Sequence, residues 1–336
     1  MTHELKKIVE AYEKGLKKDL KSVLATVVAL DGSSYRRPGV RMLIQNDGTM
    51  VGAVSGGCVE KEIYRQSLLV FKTHIPKVMT YDGRLRLGCE GVLYILLEPF
   101  EPDVAVLSQF WSLITQRVSF TIVSYFEKAH GQNDAYGSFI QYKEQKLFFR
   151  AVAIQKRQDL KHFSQVMLPC FRLVIIGTEH DAVQMCAMAA LLGWEVTVVA
   201  HPKEEKTAHD FPKATHFINK EMEILFLKMD NQMAVVLMTH SFVKDLQFLM
   251  NHYDQCPAYF GVLGPAQRRE KLFHELLELR PDIDFKFMES IYGPVGLDLG
   301  AETPQEIALS VLAEIMAVTN QKDLISLRKK TGRIHS

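Results

Sequence analysis

Arginine and glycine cluster near position 35 in a pattern that suits anion binding. Arg36, Arg37 and Arg41 lie within six positions, in and just after the Gly- and Pro-containing segment 32–39. The planar guanidinium group of arginine forms paired hydrogen bonds with phosphate and carboxylate groups. We therefore predict an anion-binding loop for a phosphorylated ligand, and the alternative is a solvated turn between two strands.

A second candidate site is Ser55-Gly56-Gly57-Cys58, where a short strand leads into a helix. The free N–H groups and the positive dipole end of a helix N-terminus favour anions, and glycines let a ligand approach the backbone. A cysteine at such a place commonly has thiolate character. We predict that Cys58 is a reactive or ligand-binding thiol in an anion pocket; the alternative is a small buried residue at a helix start.

A second cysteine lies in the glycine-flanked segment Leu87-Gly88-Cys89-Glu90-Gly91. Cys89 could face Cys58 in a shared site, or it could be a structural cysteine in a turn. The chain has twelve histidines and five cysteines, and their spacing matches no zinc-binding pattern. No metal site is therefore predicted.

A turn typical of nucleotide-binding sheets opens the second half of the chain. The dinucleotide fingerprint is G-x-G-x-x-G/A; Gly177 and Ala182 fit it, but Glu179 stands in place of the middle glycine. A glutamate brings negative charge to the place of a pyrophosphate, and Ala200 stands where an acid would hold a ribose. We expect this fold without bound NAD(P).

Other polar or glycine positions follow predicted strands in this second half. Ligands bind at the carboxyl ends of parallel strands in such sheets. We predict that Gly177, His180, His240 and Gly264 line a crevice there. For His240 the alternatives are a cap on the following helix and a histidine that is satisfied within the core.

Hydrophobic periodicity indicates the elements that must position the first three segments. Leu5, Ile8, Val9, Tyr12 and Leu16 recur at helical spacing and predict an N-terminal amphipathic helix. Apolar, β-branched runs predict strands at 22–30, 40–45, 50–54, 78–81, 92–97, 117–126, 138–142 and 147–154, with a helix at about 58–71.

The second half alternates between strand and helix patterns. Strands are predicted at 171–176, 195–199, 234–238 and 258–262, and helices at 181–192, 242–252, 266–279 and 304–318. Thr303 is the predicted N-cap of the last helix, with Pro304 in its first turn. This alternation is typical of a doubly wound parallel sheet.

Length and composition narrow the class of protein. The 336 residues predict two α/β domains, at 1–155 and 170–320, with a polar linker at 155–169. The formal net charge is +1, so no strong field favours nucleic acid or an anionic membrane. We expect neither a secretory signal nor a membrane span, and the unpaired spacing of the cysteines favours the cytoplasm.

The ordered set of segments resembles the XdhC/CoxI family. The first half carries GSSYRRPGVRML, GAVSGGCVE and LGCEGVLYILLEP; the second half carries LVIIG, MTHSFVKD, YFGVLG and GPVGLDLGAETPQEIALSVLAEI. The resemblance extends from about residue 20 to about residue 318. The chain departs from the family pattern at Glu90, where a glycine is usual, at Glu179 and at Ala200.

The resemblance implies an N-terminal mixed α/β XdhC/CoxI domain, a C-terminal Rossmann-like domain, and a cytoplasmic, dimeric accessory factor for molybdenum hydroxylases. It implies transient binding of the molybdenum cofactor (molybdopterin), help with its sulfuration or insertion into a xanthine dehydrogenase-type enzyme, and a cysteine desulfurase as a further partner. Such a protein is a cofactor chaperone rather than a catalyst. The cofactor-binding positions carried over are Arg36, Arg37, Ser55, Gly56, Gly57, Cys58 and Cys89.

Two other functions compete with this interpretation. An NAD(P)-dependent oxidoreductase would use the Rossmann-like half, although Glu179 and Ala200 argue against it. A cofactor-free interaction scaffold would use both domains only to hold a partner enzyme. Binding of NADH would favour the first, and partner capture that survives the loss of both Cys58 and Cys89 would favour the second.

Overall fold

The chain forms two compact units, Met1–Pro169 and Cys170–Ser336. The computed structural model describes residues 1–32, 37–55, 57, 59–83, 91–151, 154 and 159–330. Within these residues, no helix is long and apolar enough to cross a membrane. The predicted class, a mixed α/β unit followed by a Rossmann-like doubly wound parallel sheet, is confirmed.

The first unit combines antiparallel strands with three helices in its described residues. The helices are α1 (Thr2–Leu16), α2 (Glu60–Thr73) and α3 (Val104–Thr115). The strands are β1 (Ser22–Asp31), β2 (Arg41–Gln45), β3 (Met50–Gly52), β4 (Lys77–Asp82), β5 (Val92–Pro99), β6 (Phe120–Phe126), β7 (Gly131–Gln132), β8 (Gly137–Tyr142), β9 (Gln145–Phe148) and β10 (Lys161–Met167).

Two sheets and three helices form the layers of this unit. The six-stranded sheet has the order β3-β2-β1-β5-β4-β7, and the four-stranded sheet has the order β10-β6-β8-β9. Ile63 and Val70 of α2 pack on one face of the larger sheet, against alternate residues of β1, β2 and β5. Its other face packs against α1, α3 and the smaller sheet. Strands buried on both faces explain why β1 is almost continuously apolar.

Two predictions for the first unit differ from the structure. The helix α3 was not predicted, although Asp103 caps it by accepting a hydrogen bond from Val106 N at 2.8 Å. The predicted linker at 155–169 was wrong, because residues 161–167 form β10, which pairs along its whole length with β6. As an edge strand with mostly exposed side chains, β10 has the polar composition of a linker.

The second unit has one six-stranded sheet with helices on both faces. Its strands are β11 (Arg172–Ile176), β12 (Glu195–Ala200), β13 (His216–Asn219), β14 (Met233–Leu237), β15 (Tyr259–Val262) and β16 (Ile291–Tyr292). Its helices are α4 (His180–Leu191), α5 (Phe242–His252), α6 (Ala266–Leu279), α7 (Phe285–Glu289) and α8 (Pro304–Thr319).

The strand order of this sheet is β13-β12-β11-β14-β15-β16, and every pair is parallel. Numbered within the unit, this is the 3-2-1-4-5-6 order of the dinucleotide-binding fold. Helices α4 and α8 cover one face, and α5, α6 and α7 cover the other. The order reverses between β11 and β14, which defines the switch point where ligands bind in such sheets.

The last helix begins as the sequence predicts. Thr303 Oγ1 accepts a hydrogen bond from Glu306 N, and the Glu306 carboxylate accepts one from Thr303 N at 2.9 Å. Pro304 occupies the first turn, where a backbone N–H has no partner within the helix, so proline loses no hydrogen bond there. The N-cap prediction for Thr303 is therefore confirmed.

Candidate functional site

The six-stranded sheet of the first unit brings three loops to one of its ends. The last residue of β1, Asp31, and the last residue of β4 both pair with the first residue of β5. At the same end, the start of β2 pairs with β1, and the last residue of β3 pairs with β2. Residues 32–40, 53–59 and 83–91 therefore leave the sheet together.

These three loops carry the cofactor-binding residues predicted for the first half of the chain. Arg37, Ser55 and Gly57 are described by the structure. The other four predicted residues lie outside the described part of the chain: Arg36, Gly56, Cys58 and Cys89. The base of the loop that contains Cys89 is closed by a hydrogen bond from Gly83 N to Gly91 O at 3.0 Å.

The strands from which these loops leave are spread along the sheet end. Three strands, β2, β1 and β5, separate β3 from β4 in the sheet. Four inter-strand spacings amount to about 19 Å. The strand ends from which segments 53–59 and 83–91 leave are therefore well separated along the sheet.

The turn into α2 is organised by Ser55 and Glu60. Glu60 Oε1 accepts hydrogen bonds from Ser55 N at 2.7 Å and Val54 N at 3.2 Å, and Ser55 Oγ donates to Glu60 Oε2 at 2.7 Å. Ser55 Oγ accepts from Gly57 N at 3.2 Å and Val59 N at 3.3 Å. This reciprocal arrangement resembles a capping box and holds the backbone amides of the helix start in place.

The environment of Glu60 favours its ionised form. Burial raises the pKa of Glu60, but the hydrogen bonds from Ser55 and Val54 outweigh burial, and its pKa lies below the ordinary value of 4.5. A carboxylate in the first turn of a helix also interacts favourably with the helix dipole. Glu60 was not predicted as a site residue, although an acid just inside a predicted helix start is a recognisable capping signal.

Gly57 has a special backbone conformation at the helix start. Its φ angle is +115°, a conformation that residues with a side chain rarely adopt. A Cβ atom built at Gly57 would have no described atom within 4 Å. The glycine is therefore required by backbone conformation.

The arginines of the first loop have different surroundings. Arg37 is exposed, whereas Arg41 is buried at the start of β2. Arg41 Nη1 donates to Gly39 O at 2.9 Å and to Gln165 Oε1 at 2.6 Å. Burial lowers the pKa of Arg41 to about 10, against the opposite effect of Glu98. Arg41, which the sequence pattern groups with the anion-binding loop, thus belongs to the core beneath it.

Glu98 is a second buried charge between the two sheets of this unit. Its carboxylate accepts from Ser138 N at 2.8 Å and from Ser138 Oγ at 2.5 Å. Burial raises the pKa of Glu98 to about 7, although these hydrogen bonds and the positive charges of Arg150 and Arg41 act in the opposite direction. Sequence reasoning missed Glu98 because it lies in a strand pattern that reads as apolar.

In the second unit, the predicted crevice residues lie at the carboxyl ends of β11, β14 and β15. Gly177 follows β11 with a φ angle of +119°, and a Cβ there would lie 2.4 Å from Met238 O. His180 is the exposed first residue of α4, and His240 follows β14, exposed and with a φ angle of +52°. Gly264 follows β15 with a φ angle of +127°.

Gly177 and the segment that leads to His240 thus lie side by side at the switch point between β11 and β14. Gly264 lies one strand away. The alternative role for His240, the cap of the following helix, is taken by Ser241, which accepts a hydrogen bond from Lys244 N.

Charged side chains already bridge the loops of this crevice. Glu204 Oε2 accepts from Thr178 Oγ1 at 2.6 Å, and Glu204 Oε1 accepts from Lys244 Nζ at 2.9 Å. The carboxylate that follows β12 therefore comes from Glu204, four positions beyond Ala200. Both of its oxygens are engaged by the protein.

A second bridge joins α5 to α6 at the same edge. Asp245, only 1% exposed, accepts from Thr239 Oγ1 at 2.6 Å and from Arg268 Nη2 at 2.7 Å. Burial raises the pKa of Asp245 above its ordinary value, against the effect of these two hydrogen bonds. Neither bridge was predicted, because the partners lie 23 to 40 positions apart in sequence.

The fold and these sites define a two-unit α/β protein whose second unit is a Rossmann domain. The carboxylates in the crevice of this domain are already hydrogen-bonded to other side chains of the protein. The family model described as "XdhC and CoxI family" matches residues 16–82, and the model described as "XdhC Rossmann domain" matches residues 173–315. The chain carries both in order and belongs to the XdhC and CoxI family.

Known relatives cover most of the chain. It is 29% identical to a probable xanthine dehydrogenase subunit of Bacillus subtilis (strain 168), across 88% of this chain and 92% of the relative. It is 26% identical to "Molybdenum cofactor insertion chaperone PaoD" of Escherichia coli (strain K12), across 88% of this chain and 83% of PaoD.

A solved structure has the same fold. The crystal structure of a xanthine dehydrogenase from Bacillus halodurans superimposes with a TM-score of 0.75 at 25% sequence identity. The match covers 95% of this chain and 97% of that one.

Proposed function

We propose that this chain is a maturation factor that binds the molybdenum cofactor and assists its sulfuration or its insertion into a xanthine dehydrogenase-type molybdenum hydroxylase. The observation that carries the proposal is the emergence of three loops with predicted cofactor-binding residues at one end of the first sheet. Membership of the XdhC and CoxI family and the similarity to PaoD support it.

The chemistry of the cofactor suits the residues of these loops. A phosphate on the pterin would interact with the amides at the start of α2 and with Arg36 and Arg37. A thiolate of Cys58 or Cys89 would hold or pass sulfur or bind molybdenum, because soft metals prefer sulfur ligands. Ser55 and Gly57 would shape the floor of the site, since Glu60 and Ser55 fix the amides there.

We further propose that the chain acts as a cofactor chaperone and not as a catalyst. A cysteine desulfurase would supply the sulfur, and a molybdenum hydroxylase would receive the loaded cofactor. The cytoplasmic, homodimeric form of the protein is proposed from the family resemblance.

The crevice of the second unit is not a dinucleotide site in this proposal. Gly177, His180, His240 and Gly264 would line a surface that does not bind NAD(P). Glu179 occupies the middle fingerprint position, and Glu204 is bonded to Thr178 and Lys244, so a nucleotide ribose would have to displace existing bonds.

Co-purification with molybdopterin tests the proposal. The protein would be isolated from cells that make the cofactor, and the released pterin would be oxidised and measured by its fluorescence. Cys58→Ala would be compared with the wild type, and Cys256→Ala, which removes an exposed free cysteine in the second unit, is the matched control.

Three outcomes separate the parts of the proposal. Pterin in the wild type and in Cys256→Ala, but not in Cys58→Ala, would support a carrier with Cys58 in the site. Equal pterin in all three proteins would support the carrier role and remove Cys58 from the site. No pterin in any of them would overturn cofactor binding and favour the interaction scaffold.

A further inference from the structure

A cavity lies on the parallel sheet of the second unit, away from the carboxyl-end crevice. Its volume is about 560 Å³, within the range of small-molecule sites. The floor is formed by residues of β11, β12 and β13, including Val174, Thr197 and Ile218. One wall is the segment Phe226–Lys228.

The cavity exists because a crossover helix is replaced by an irregular segment. Residues 220–232 join β13 to β14 on the face that α5 and α6 also cover, and their only described helical element is the 3-10 turn Met222–Ile224. A helix about 10 Å in diameter would fill this part of the face. Met222, Leu225 and Met229 reach the core, and the cavity lies beside this segment.

The wall of the cavity is held in place by α5. Leu227 N donates to His252 Nε2 at 2.9 Å, and His252 Nδ1 lies 2.8 Å from Phe248 O. A ring that accepts at Nε2 and contacts a carbonyl at Nδ1 carries its proton on Nδ1. Asn251 Nδ2 also donates to Met222 O at 2.7 Å. The segment is therefore fixed before any ligand binds.

The lining combines an apolar floor with cationic and aromatic walls. Lys228 and His216 are exposed at the rim, and Arg172 lies at the amino end of β11 with Glu195 at 3.6 Å. The ring of Phe226 is 61% exposed and stacks on His252, with ring centroids 5.6 Å apart and an interplanar angle of 14°. One face of this ring is thus backed by the protein.

We propose that this cavity is a binding site for a small organic anion with a planar aromatic body. The aromatic body contacts Phe226 and the apolar floor, while the carboxylate or phosphate group lies near Lys228 and His216. Stacking of a planar ring on an exposed aromatic side chain is tolerant of ring identity, and the ammonium group of Lys228 selects a negative charge. This site is independent of the cofactor-binding function proposed for the first unit.

The test uses two probes with the same ring system. 8-Anilinonaphthalene-1-sulfonate carries a sulfonate, and N-phenyl-1-naphthylamine is its uncharged counterpart. Binding to the full chain is followed by fluorescence, and the site is located from amide NMR shifts of Thr197, His216 and Leu227. Lys228→Glu reverses one rim charge, and Lys271→Glu on the exposed side of α6 is the matched control.

The proposal expects saturable binding of the sulfonate with shifts at those three amides. Lys228→Glu should weaken sulfonate binding about tenfold or more and leave the uncharged probe within about twofold, because only the charged group is repelled. Lys271→Glu should leave both unchanged. Shifts located elsewhere, no saturable binding, or equal weakening by the two variants would overturn the proposal.

Discussion

Arg41 Nη1 donates to the side-chain oxygen of Gln165 at 2.6 Å, which joins the start of β2 to the edge strand β10 of the other sheet. The same nitrogen donates to Gly39 O at the base of the arginine-rich loop. Gly39 packs so closely on the Gln165 amide that a Cβ there would lie 2.4 Å from its Nε2. The base of the loop is therefore set by β10, more than 120 positions away.

We predict measurable coupling between Arg41 and Gln165. A double-mutant cycle of Arg41→Met and Gln165→Ala should give a coupling free energy of about 1–2 kcal/mol, because the hydrogen bond has a buried charged donor. Ser164→Ala, an exposed neighbour on β10, is the control. Additive effects of the two substitutions would contradict the prediction.

The two units allow separate measurements, since each holds one of the two tryptophans, Trp111 and Trp194. Replacing Trp194 by Phe lets the fluorescence of Trp111 report unfolding of the first unit alone. The reverse replacement isolates the second unit. This separation matters because a two-unit chain need not unfold in one step.

Glu98 should make the stability of the first unit depend on pH. Its pKa is raised from 4.5 to about 7 by burial, so the folded state binds its proton more tightly than the unfolded state does. The stability should therefore fall as pH rises from about 4.5 to about 7, by roughly 3 kcal/mol if the full shift is expressed. Glu98→Gln should remove this slope in urea unfolding measured by Trp111 fluorescence.

The control for Glu98 is Glu144→Gln, an exposed glutamate in the turn between β8 and β9. It should keep the wild-type slope. A Glu98→Gln protein with the wild-type pH dependence would show that Glu98 does not titrate in this range. Only the slopes are compared, because glutamine also replaces one acceptor of the Ser138 hydrogen bonds.

Glu60 should stabilise the start of α2 in its ionised form. Glu60→Ala should cost about 1–2 kcal/mol near pH 7, since three hydrogen bonds to Ser55 and Val54 are lost. The pKa of Glu60 is lowered in the folded protein, so the stabilisation by its carboxylate is fully present above 4.5, its pKa in the unfolded chain. This stabilisation is lost as the pH falls through the lower pKa of the folded state. Urea unfolding of the first unit at several pH values measures the difference.

Glu144→Ala serves as the control for Glu60, and it should change the unfolding free energy by less than about 0.5 kcal/mol. If the cost of Glu60→Ala stayed the same at pH 3 as at pH 7, the ionised carboxylate would not be its source. The cause would then be lost packing.

The Asp245 and Arg268 pair should stabilise the second unit. Asp245→Ala should cost about 3 kcal/mol because it leaves Arg268 without its buried carboxylate and removes one of the two acceptors near Thr239 Oγ1, the other being Ser241 O. Unfolding followed by Trp194 fluorescence measures it, with Asp254→Ala on the exposed surface as the control. A cost below about 1 kcal/mol would show that solvent replaces the carboxylate at this edge.

In the first unit, the hydrophobic pattern of the sequence predicts some elements and misses others. Strands such as β1 and β5 were predicted because both of their faces are apolar, and α1 was predicted from Leu5, Ile8 and Tyr12 on one face. The strand β10 was mistaken for a linker because an edge strand can be polar on both sides. Helix α3 was missed because the region was interpreted as strands alone.

In the second unit, local sequence signals again predicted the helices and strands but not the contacts between them. The range of α5, Phe242–His252, and the N-cap of α8 at Thr303 were predicted from the sequence. The role of Gly177 was not predicted: the glycine accommodates Met238 O, a backbone atom just beyond the end of β14. The bonds of Glu204 to Thr178 and Lys244 likewise depend on which strands are neighbours.

The sequence by itself determined the fold class, most helices and strands, the family and the segments that could bind a cofactor. Those properties depend on hydrophobic period, capping and short motifs, which act over a few residues. Only the tertiary structure decided that three loops share one end of a sheet, that Arg41 lies in the core and that Glu98 is buried. These depend on strand order and burial, and contacts between distant residues determine both.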